Sequence, residues 1–272
     1  MKYLQNLHTH STFCDGKNTP EETVNKAIEM GFNSIGFSGH CYMPYSPNAK
    51  VMSEESTLEY IDEINRLKTK YSDKIKIFTG IEVDMYAQTD TKPFDYSIGT
   101  LHYLDVNGEK IPFDRDIQTV KNVIDTYFGG NGLSYAKEYY RQLSLLPDYG
   151  HFDILGHFDL VAKHCEKASL FDIRSNEYLF SATEALEKLQ GAFTVFEVNT
   201  GAIARKNRTT PYPQMELLKE FKRLGCKPII SSDCHDNNYL NCFFNEAEEL
   251  LKLAGFKDLY VLTDSGFVPT EL

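Results

Sequence analysis

Residues 3–10 read YLQNLHTH, a short strand-like segment followed directly by two histidines in alternate positions. Tyr3–Leu7 is predicted to form the first strand. His8 and His10 then project to the same side of an extended backbone, because side chains alternate along a strand. Most of the other histidines also follow predicted strands. The sequence therefore predicts a sheet whose strands carry imidazole groups at their carboxyl ends.

Short apolar runs alternate with amphipathic helical segments along the rest of the chain. Thr19 and Ser53 are predicted helix N-caps, and Gly31 is a predicted helix stop. Further helices are predicted over 114–147, with a break at 129–132, and over 176–190, 217–224 and 245–254. The predicted strands are Tyr3–Leu7, Ser34–Ser38, Lys76–Val83, Tyr96–Leu101, Phe152–Leu155, Phe193–Val198, Lys227–Ser231 and, as a possible last one, Leu259–Leu262. This alternation indicates an α/β fold with a parallel sheet, and seven or eight such units suggest a barrel.

Length and composition limit the class of protein. The 272 residues, 42% of them hydrophobic, suit one large domain. We expect a single domain over 1–272, with a helical insertion at about 103–150. There are 28 Lys and Arg against 39 Asp and Glu, so the net charge of −11 disfavours nucleic acid and anionic membranes as partners. There is no signal peptide pattern, no long apolar run and no C-x-x-C pair among six cysteines, which favours a reducing cytoplasmic setting.

Nine acidic and imidazole side chains are predicted to meet at one face. In a β/α barrel the carboxyl ends of the strands converge there, and active sites are built on that face. Histidine with carboxylate suits zinc, manganese or iron. A lone His-x-His is common without a metal, but here the whole set coincides. The candidate ligands are His8, His10, Asp15, His40, Glu82, His102, His157, Asp233 and His235.

Nine ligands exceed what one tetrahedral zinc can use, so two or three ions are expected. Glu82 lies between two histidine sets and can bridge two ions. Two histidines fall outside the set: we expect His151 to be structural and His164 to lie on the surface.

The order of these motifs resembles the polymerase and histidinol phosphatase (PHP) family over residues 4–236. The resemblance implies a distorted (β/α)7 barrel with a three-metal phosphoesterase centre. It implies one ion on His8, His10, Glu82 and Asp233, a second on Glu82, His102 and His157, and a third on Asp15, His40 and His235. The motifs are Leu7-His8-Thr9-His10-Ser11 with Asp15-Gly16, Ser38-Gly39-His40, Gly80-Ile81-Glu82, Leu101-His102, Gly156-His157 and Ser232-Asp233-Cys234-His235.

A second set of segments is similar to the histidinol-phosphate phosphatase branch of that family. It includes the long insertion before His157, residues 156–160 (GHFDL), residues 197–201 (EVNTG), Arg205-Lys206 and residues 211–213 (PYP). The implied reaction is hydrolysis of L-histidinol phosphate to L-histidinol and phosphate in histidine biosynthesis. The implied partner is thus a small phosphomonoester.

Phosphate chemistry suggests roles for particular residues. Clustered dications neutralise phosphoryl oxygens and acidify a bridging water, so hydroxide attack on phosphorus is expected near Glu82 and Asp233. Arg205 is the predicted phosphate contact, with Arg208 and Lys206 as rivals. Tyr42 and Tyr103, with Tyr212 and the 114–147 segment, are candidates for contacting the rest of the substrate. A metal-bound water, Asp233 or a neighbouring histidine could protonate the leaving group.

Other functions fit parts of the pattern. The same motif order would serve another small phosphomonoester or phosphotyrosine. A metal-dependent amidohydrolase also begins with His-x-His, but no strand-end lysine is available here to bridge two metals. A non-enzymatic metal-stabilised module would lack an open coordination position. A cysteine phosphatase is disfavoured because no Cys-x5-Arg loop is present.

Overall fold

The computed structural model describes residues 3–272, which contain eleven strands. Seven of them form one parallel sheet in the order β1-β2-β3-β4-β7-β8-β9. The strands are β1 Gln5–Asn6, β2 Ser34–Phe37, β3 Lys76–Asp84, β4 Tyr96–Thr100, β5 Tyr103–Val106, β6 Glu109–Pro112, β7 Ile154–Leu155, β8 Val195–Asn199, β9 Pro228–Ser231, β10 Asp258–Thr263 and β11 Gly266–Glu271.

The two ends of the parallel sheet meet just beyond β1 and β9. The His10 N–H donates to the Cys234 carbonyl at 2.8 Å, and the Cys234 N–H donates to the His8 carbonyl at 3.0 Å. The Asn6 side-chain amide donates to the Ser232 hydroxyl oxygen at 2.8 Å. The sheet is therefore a nearly closed seven-stranded barrel, and the predicted (β/α)7 architecture is confirmed.

Helices surround this barrel, and none within residues 3–272 combines the length and apolar character needed to cross a bilayer. The predicted N-caps are present: the Glu22 N–H donates to the Thr19 hydroxyl and the Ser56 N–H to the Ser53 hydroxyl. The helices are α1 Pro20–Glu29, α2 Glu54–Lys70, α3 Ile117–Phe128, α4 Gly132–Leu143, α5 Cys165–Ala168, α6 Asn176–Leu189, α7 Gly201–Ala204, α8 Met215–Arg223 and α9 Phe244–Leu253.

A compact apolar cluster that includes Tyr96 fills the barrel interior. The Tyr96 hydroxyl donates to the Leu7 carbonyl oxygen, so its buried polar atom is satisfied. A Cβ at Gly80 would lie 2.2 Å from the Tyr96 ring. Glycine at position 80 therefore makes room for the ring beneath Glu82, two residues further along the same strand.

The insertion predicted to be helical over about 103–150 begins instead with two strands. Residues 103–112 form the antiparallel hairpin β5–β6, and helices begin only at Ile117. Asn107 and Gly108 have φ values of 54° and 87°, as an Asn-Gly hairpin turn requires. This turn signal was present in the sequence and takes precedence over the helical pattern that follows it.

The last predicted strand does not join the barrel. It becomes β10, which pairs antiparallel with β11 in a separate hairpin. Gln5 connects this hairpin to β1: its amide donates to the Leu262 carbonyl at 2.9 Å, and its Oε1 accepts from the Leu262 N–H at 2.8 Å. Leu262 belongs to the interior cluster, so the hairpin covers the amino-terminal end of the barrel.

Candidate metal centre

Glu82 lies at the middle of the side chains gathered at the carboxyl ends of the strands. It is 1% exposed, on β3. Its Oε1 lies 3.1 Å from His157 Nε2 and 3.5 Å from His102 Nε2. Its Oε2 lies 3.4 Å from His8 Nε2 and 2.7 Å from His40 Nδ1. The two carboxylate oxygens thus face two different sets of imidazoles, as a bridging carboxylate would.

A second carboxylate, Asp233, joins the two histidines that follow β1. Its Oδ1 is 3.2 Å from His10 Nε2 and 3.7 Å from His8 Nε2. Asp233 has a φ of 46°, in the left-handed region, which aims the side chain at β1 from the turn after β9.

Asp15 lies on the outer side of this group. Its Oδ2 is 3.2 Å from His235 Nε2, and its Oδ1 is 3.7 Å from His40 Nε2. The side chain of Asp15 is 32% exposed, so it is the most open carboxylate of the set.

Within the described chain, three groups of ligand atoms each fit inside 4.8 Å. The structure therefore brings together the nine predicted side chains, with His102 reaching the set through Glu82. The groups are His10, Asp15, His40 and His235; His8, His10 and Asp233; and His8, Glu82 and His157.

The protonation of this cluster is governed by opposite charges in a buried space. Burial would raise the pKa of Glu82, but His40, His8 and His102 outweigh it and hold that pKa well below its usual range. Burial likewise opposes ionisation of Asp233, but Arg205 and His8 lower its pKa. Both carboxylates are therefore anionic, as metal ligands must be.

Several buried polar atoms in the cluster lie close to a neighbour but form no well-aligned hydrogen bond: His8 Nε2, His10 Nε2, Asp15 Oδ1 and Glu82 Oε2. Leaving such atoms unpaired is costly unless something else satisfies them. Imidazole nitrogens and carboxylate oxygens converging on one space are the donor set of zinc and related divalent ions. The residues present therefore fit a divalent metal centre.

The model of the PHP domain family matches residues 6–201. This chain belongs to the PHP family.

Two relatives of this PHP chain share one name, and each aligns with this chain over nearly its whole length. The histidinol-phosphatase of Lactococcus lactis is 30% identical over 278 residues, covering 95% of this chain and 94% of the relative. The histidinol-phosphatase of Bacillus subtilis is 27% identical, covering 84% and 92%. This PHP chain is accordingly similar to phosphoric monoester hydrolases throughout.

A solved structure has the same fold. The crystal structure of histidinol phosphate phosphatase from Lactococcus lactis, complexed with zinc, L-histidinol and phosphate, matches with a TM-score of 0.73 at 24% identity. The match covers 97% of this chain and 98% of that one. The likeness supports the PHP-type barrel described above.

Glu197 on β8 is a buried residue of this PHP site that the ligand prediction missed. Its Oε1 accepts from His8 Nδ1–H at 2.6 Å, and its Oε2 accepts from the His157 N–H at 2.8 Å and the Asn199 amide at 2.9 Å. It orients His8 so that Nε2 faces Glu82. The sequence signal was an acidic residue inside an otherwise apolar strand.

Asp84 at the end of β3 performs a similar task for His102. Its Oδ2 accepts from the His102 N–H at 2.7 Å and lies 3.5 Å from His102 Nδ1. The Tyr45 hydroxyl donates to Asp84 Oδ1. The spacing Glu82-x-Asp84 places both carboxylates on the same side of one strand.

Arg205 lies at the mouth of the PHP cleft, as expected for a side chain that meets substrate. It follows α7, and its Nη2 donates to Asp233 Oδ2 at 2.6 Å while its Nη1 donates to the Asp233 carbonyl at 2.9 Å. About a third of its side chain is exposed. Its contact with phosphate stays a prediction.

Arg208, predicted as an equal rival, is in a different environment. It is 3% exposed, its Nη1 donates to Asp159 Oδ2 at 3.0 Å, and its guanidinium lies 4.6 Å from the Tyr212 ring centroid. Arg208 does not line the cleft. The turn after α7 buries this side chain against Asp159, whereas Arg205 lines the cleft, and the choice between the two as the phosphate contact stays a prediction.

The two predicted aromatic contacts separate in space. Tyr103 lines the cleft, with its hydroxyl 2.6 Å from the Ser46 hydroxyl. Tyr42 instead lines a different cavity, of about 680 Å³, beside α2 and the loop after β3. Its assignment to the substrate cleft is corrected, because Tyr42 is not among the residues that line that cleft and its side chain is 43% exposed.

Two remaining histidines and the cysteines can be placed. His164 is 6% exposed and its Nε2 lies 3.2 Å from the Arg115 carbonyl, so the expected surface position is wrong. His151, expected to be structural, is exposed.

The six cysteines are free thiols, as expected. Burial raises the pKa of Cys234 to about 12, which makes it a poor nucleophile.

Proposed function

We propose that this chain is a metal-dependent phosphatase that hydrolyses L-histidinol phosphate to L-histidinol and phosphate. The observation that carries the proposal is the buried cluster of unpartnered imidazole and carboxylate atoms at the open end of a PHP barrel. The full-length similarity to proteins named histidinol-phosphatase supports the substrate. A neighbouring fold that holds zinc, L-histidinol and phosphate supports it further.

Three divalent ions, of zinc, manganese or iron, complete the site in this proposal. His8, His10, Glu82 and Asp233 would hold the first; Glu82, His102 and His157 would hold the second; and Asp15, His40 and His235 would hold the third. The three groups of ligand atoms support this division in part: His8 and His10 each belong to two groups, and His102 belongs to none.

Bound divalent ions supply positive charge for the phosphoryl oxygens and a water acidified for attack on phosphorus. Glu82 and Asp233 are the catalytic carboxylates because each faces several imidazoles at the centre of the cluster. Arg205 offers guanidinium N–H groups to the phosphate from the cleft mouth. Tyr103 forms part of the wall against which the substrate's organic portion lies.

The charge distribution supports a small substrate. Three dications against the carboxylates of Asp15, Glu82 and Asp233 leave the centre net positive, while the whole chain carries −11. A small dianion is attracted to such a centre, whereas a long polyanion is repelled by the surrounding surface. We propose that residues 1–272 act as one domain on this phosphomonoester in the cytoplasm, without nucleic acid or membrane partners.

The test is a substrate panel. The protein is reconstituted separately with zinc, manganese or iron, and phosphate release is measured from L-histidinol phosphate, nucleotides, sugar phosphates and phosphotyrosine. We expect the highest kcat/KM for L-histidinol phosphate. A clear preference for another monoester would reject the substrate, and one metal ion or none per active chain would reject the three-ion centre.

A further inference from the structure

The cleft above the metal centre contains a carboxylate that the centre does not use. This cleft has a volume of about 320 Å³. Asp15, Glu82 and Asp233, which line it, all belong to the ligand cluster. Among the described residues, Asp114 is the one further acidic side chain that lines it.

Two contacts hold Asp114 beside the cluster. The preceding residue, Phe113, donates its N–H to the His102 carbonyl at 3.3 Å, which fixes the exit of the β5–β6 hairpin next to a candidate ligand. Lys163 Nζ donates to the Asp114 carbonyl at 2.6 Å and to Asp114 Oδ2 at 3.1 Å. The insertion is thereby fastened to the loop that follows His157.

The Asp114 side chain is only 22% exposed, and Lys163 is 17% exposed. No described residue forms a hydrogen bond with Asp114 Oδ1, whereas Oδ2 is bound to Lys163. One carboxylate oxygen therefore remains for a ligand in the cleft.

The charge state of Asp114 is firmly anionic. Burial would raise its pKa, but Lys163 and the imidazoles of His102 and His157 outweigh burial and lower the pKa to about 2. The hydrogen bond from the Phe113 N–H to the His102 carbonyl keeps the backbone beside Asp114 next to His102, and all of Asp114, His102 and His157 line the cleft.

We propose that Asp114 binds the ammonium group of the substrate and so determines specificity for a cationic phosphomonoester. The inference rests on the proposed function, since the phosphate has to sit at the metal centre. The carboxylates of the cluster are committed to imidazoles and ions, so they offer little to a distant cation. Asp114 stands outside them on the cleft wall. Lys163 holds it in place from the side of Oδ2.

The experiment compares two substrates that differ only in the amine: L-histidinol phosphate and 3-(imidazol-4-yl)propyl phosphate. Each is assayed with the metal-loaded wild type, Asp114→Asn and Asp125→Asn. Asp125 is exposed on α3, so Asp125→Asn loses the same charge away from the cleft. We expect Asp114→Asn to raise the KM for L-histidinol phosphate by about 10-fold or more. The KM of Asp114→Asn for the amine-free ester should stay within about twofold of the wild-type value. In Asp125→Asn, the KM values for both substrates should stay within the same limit.

The outcomes separate this inference from the proposed function. If the wild type does not hydrolyse L-histidinol phosphate, the function fails and the inference with it. If the wild type is active but Asp114→Asn raises both KM values equally, or neither, only the role of Asp114 is overturned. Asp114→Glu provides a second variant that keeps the charge and the Lys163 pair. Asp114→Glu should retain more preference for the amine-bearing substrate than Asp114→Asn does. An equal loss of that preference in these two variants would also overturn the role of Asp114.

Discussion

Among single side chains, Glu82 has the most demanding position because both of its oxygens face imidazoles in a buried space. Glu82→Gln replaces one of these oxygens by an amide that cannot ligate as an anion. We expect kcat/KM for L-histidinol phosphate to fall by at least about 100-fold, since the loss of groups that only support a ligand already costs about 10- to 100-fold.

Phosphate release and metal content per chain are the measurements for this variant. Glu55→Gln, on the exposed side of α2, is the matched control and should keep wild-type turnover. Near-normal turnover in Glu82→Gln would contradict the bridging role.

Glu197 acts through its neighbours, as a positioning residue. Glu197→Gln keeps the shape but replaces one carboxylate oxygen by an NH2 group. That NH2 group faces either the donors at Oε1, His8 Nδ1–H and the Ser231 hydroxyl, or the donors at Oε2, the His157 N–H and the Asn199 amide. We expect zinc affinity to weaken by about 10- to 100-fold. Competition with a chromophoric chelator measures this directly, without an activity assay.

Glu184→Gln, exposed on α6, is the control for that experiment. Equal zinc affinity in Glu197→Gln and the wild type would mean that Glu197 stabilises the packing of the strands and does not position the metal ligands.

At this scale the sequence predicted the residues that lie directly after strands, because strand ends are readable from apolar runs. It did not separate Arg205 from Arg208, three residues apart in one turn. Their environments depend on how the turn packs against Asp159 and Asp233, which local pattern does not encode. Glu197 was visible as a charge within a buried strand, but its partners come from distant segments.

Among the elements, α1 depends on the N-cap at Thr19. Its hydroxyl accepts from the Glu22 N–H at 3.2 Å, and Glu22 accepts from the Thr19 N–H at 2.8 Å. Thr19→Ala leaves the helix start uncapped and should cost about 1 kcal/mol of unfolding free energy, lowering Tm by about 2–4 °C.

Chemical denaturation of the same metal-loaded preparation measures the loss. Thr69→Ala, inside α2, removes a hydroxyl whose bond to the Asn65 carbonyl is made within the helix, so it should change stability much less. Equal losses in the two variants would show that capping is not the cause.

Capping sequences of this kind made α1 and α2 predictable to within a residue of their starts. The β5–β6 hairpin was not predicted, because the tyrosine-rich helical pattern of the later insertion was extended back over it. The Asn107-Gly108 turn marks the error: paired positive φ angles stop a helix and favour a hairpin.

In the whole molecule, the contacts that close off the barrel and the candidate metal centre lie at opposite ends of the barrel. Gln5 binds both backbone groups of Leu262 at the start of β1, three residues before His8. Gln5→Ala would leave these buried groups unpaired and should cost about 1–3 kcal/mol of unfolding free energy.

Turnover per folded molecule should stay close to that of the wild type, because the amino-terminal face of such barrels serves stability. Urea unfolding and steady-state kinetics on one preparation test both parts. A large fall in kcat without loss of stability would contradict the separation.

The barrel as a whole was predictable because strand and helix alternate in a regular order. The covering hairpin was not predictable. The apolar pattern of Leu259–Leu262 is the same whether this strand pairs within the barrel or pairs with β11.

The seam where Thr9 pairs with Cys234 joins the first barrel strand to the last. His8 and His10 precede Asp233 and His235 by more than 220 residues, so these four side chains meet only where the seam closes. An opening of the seam would separate His10 from the Asp233 carboxylate even if every strand kept its own conformation. The geometry of the candidate metal centre therefore depends on closure of the barrel.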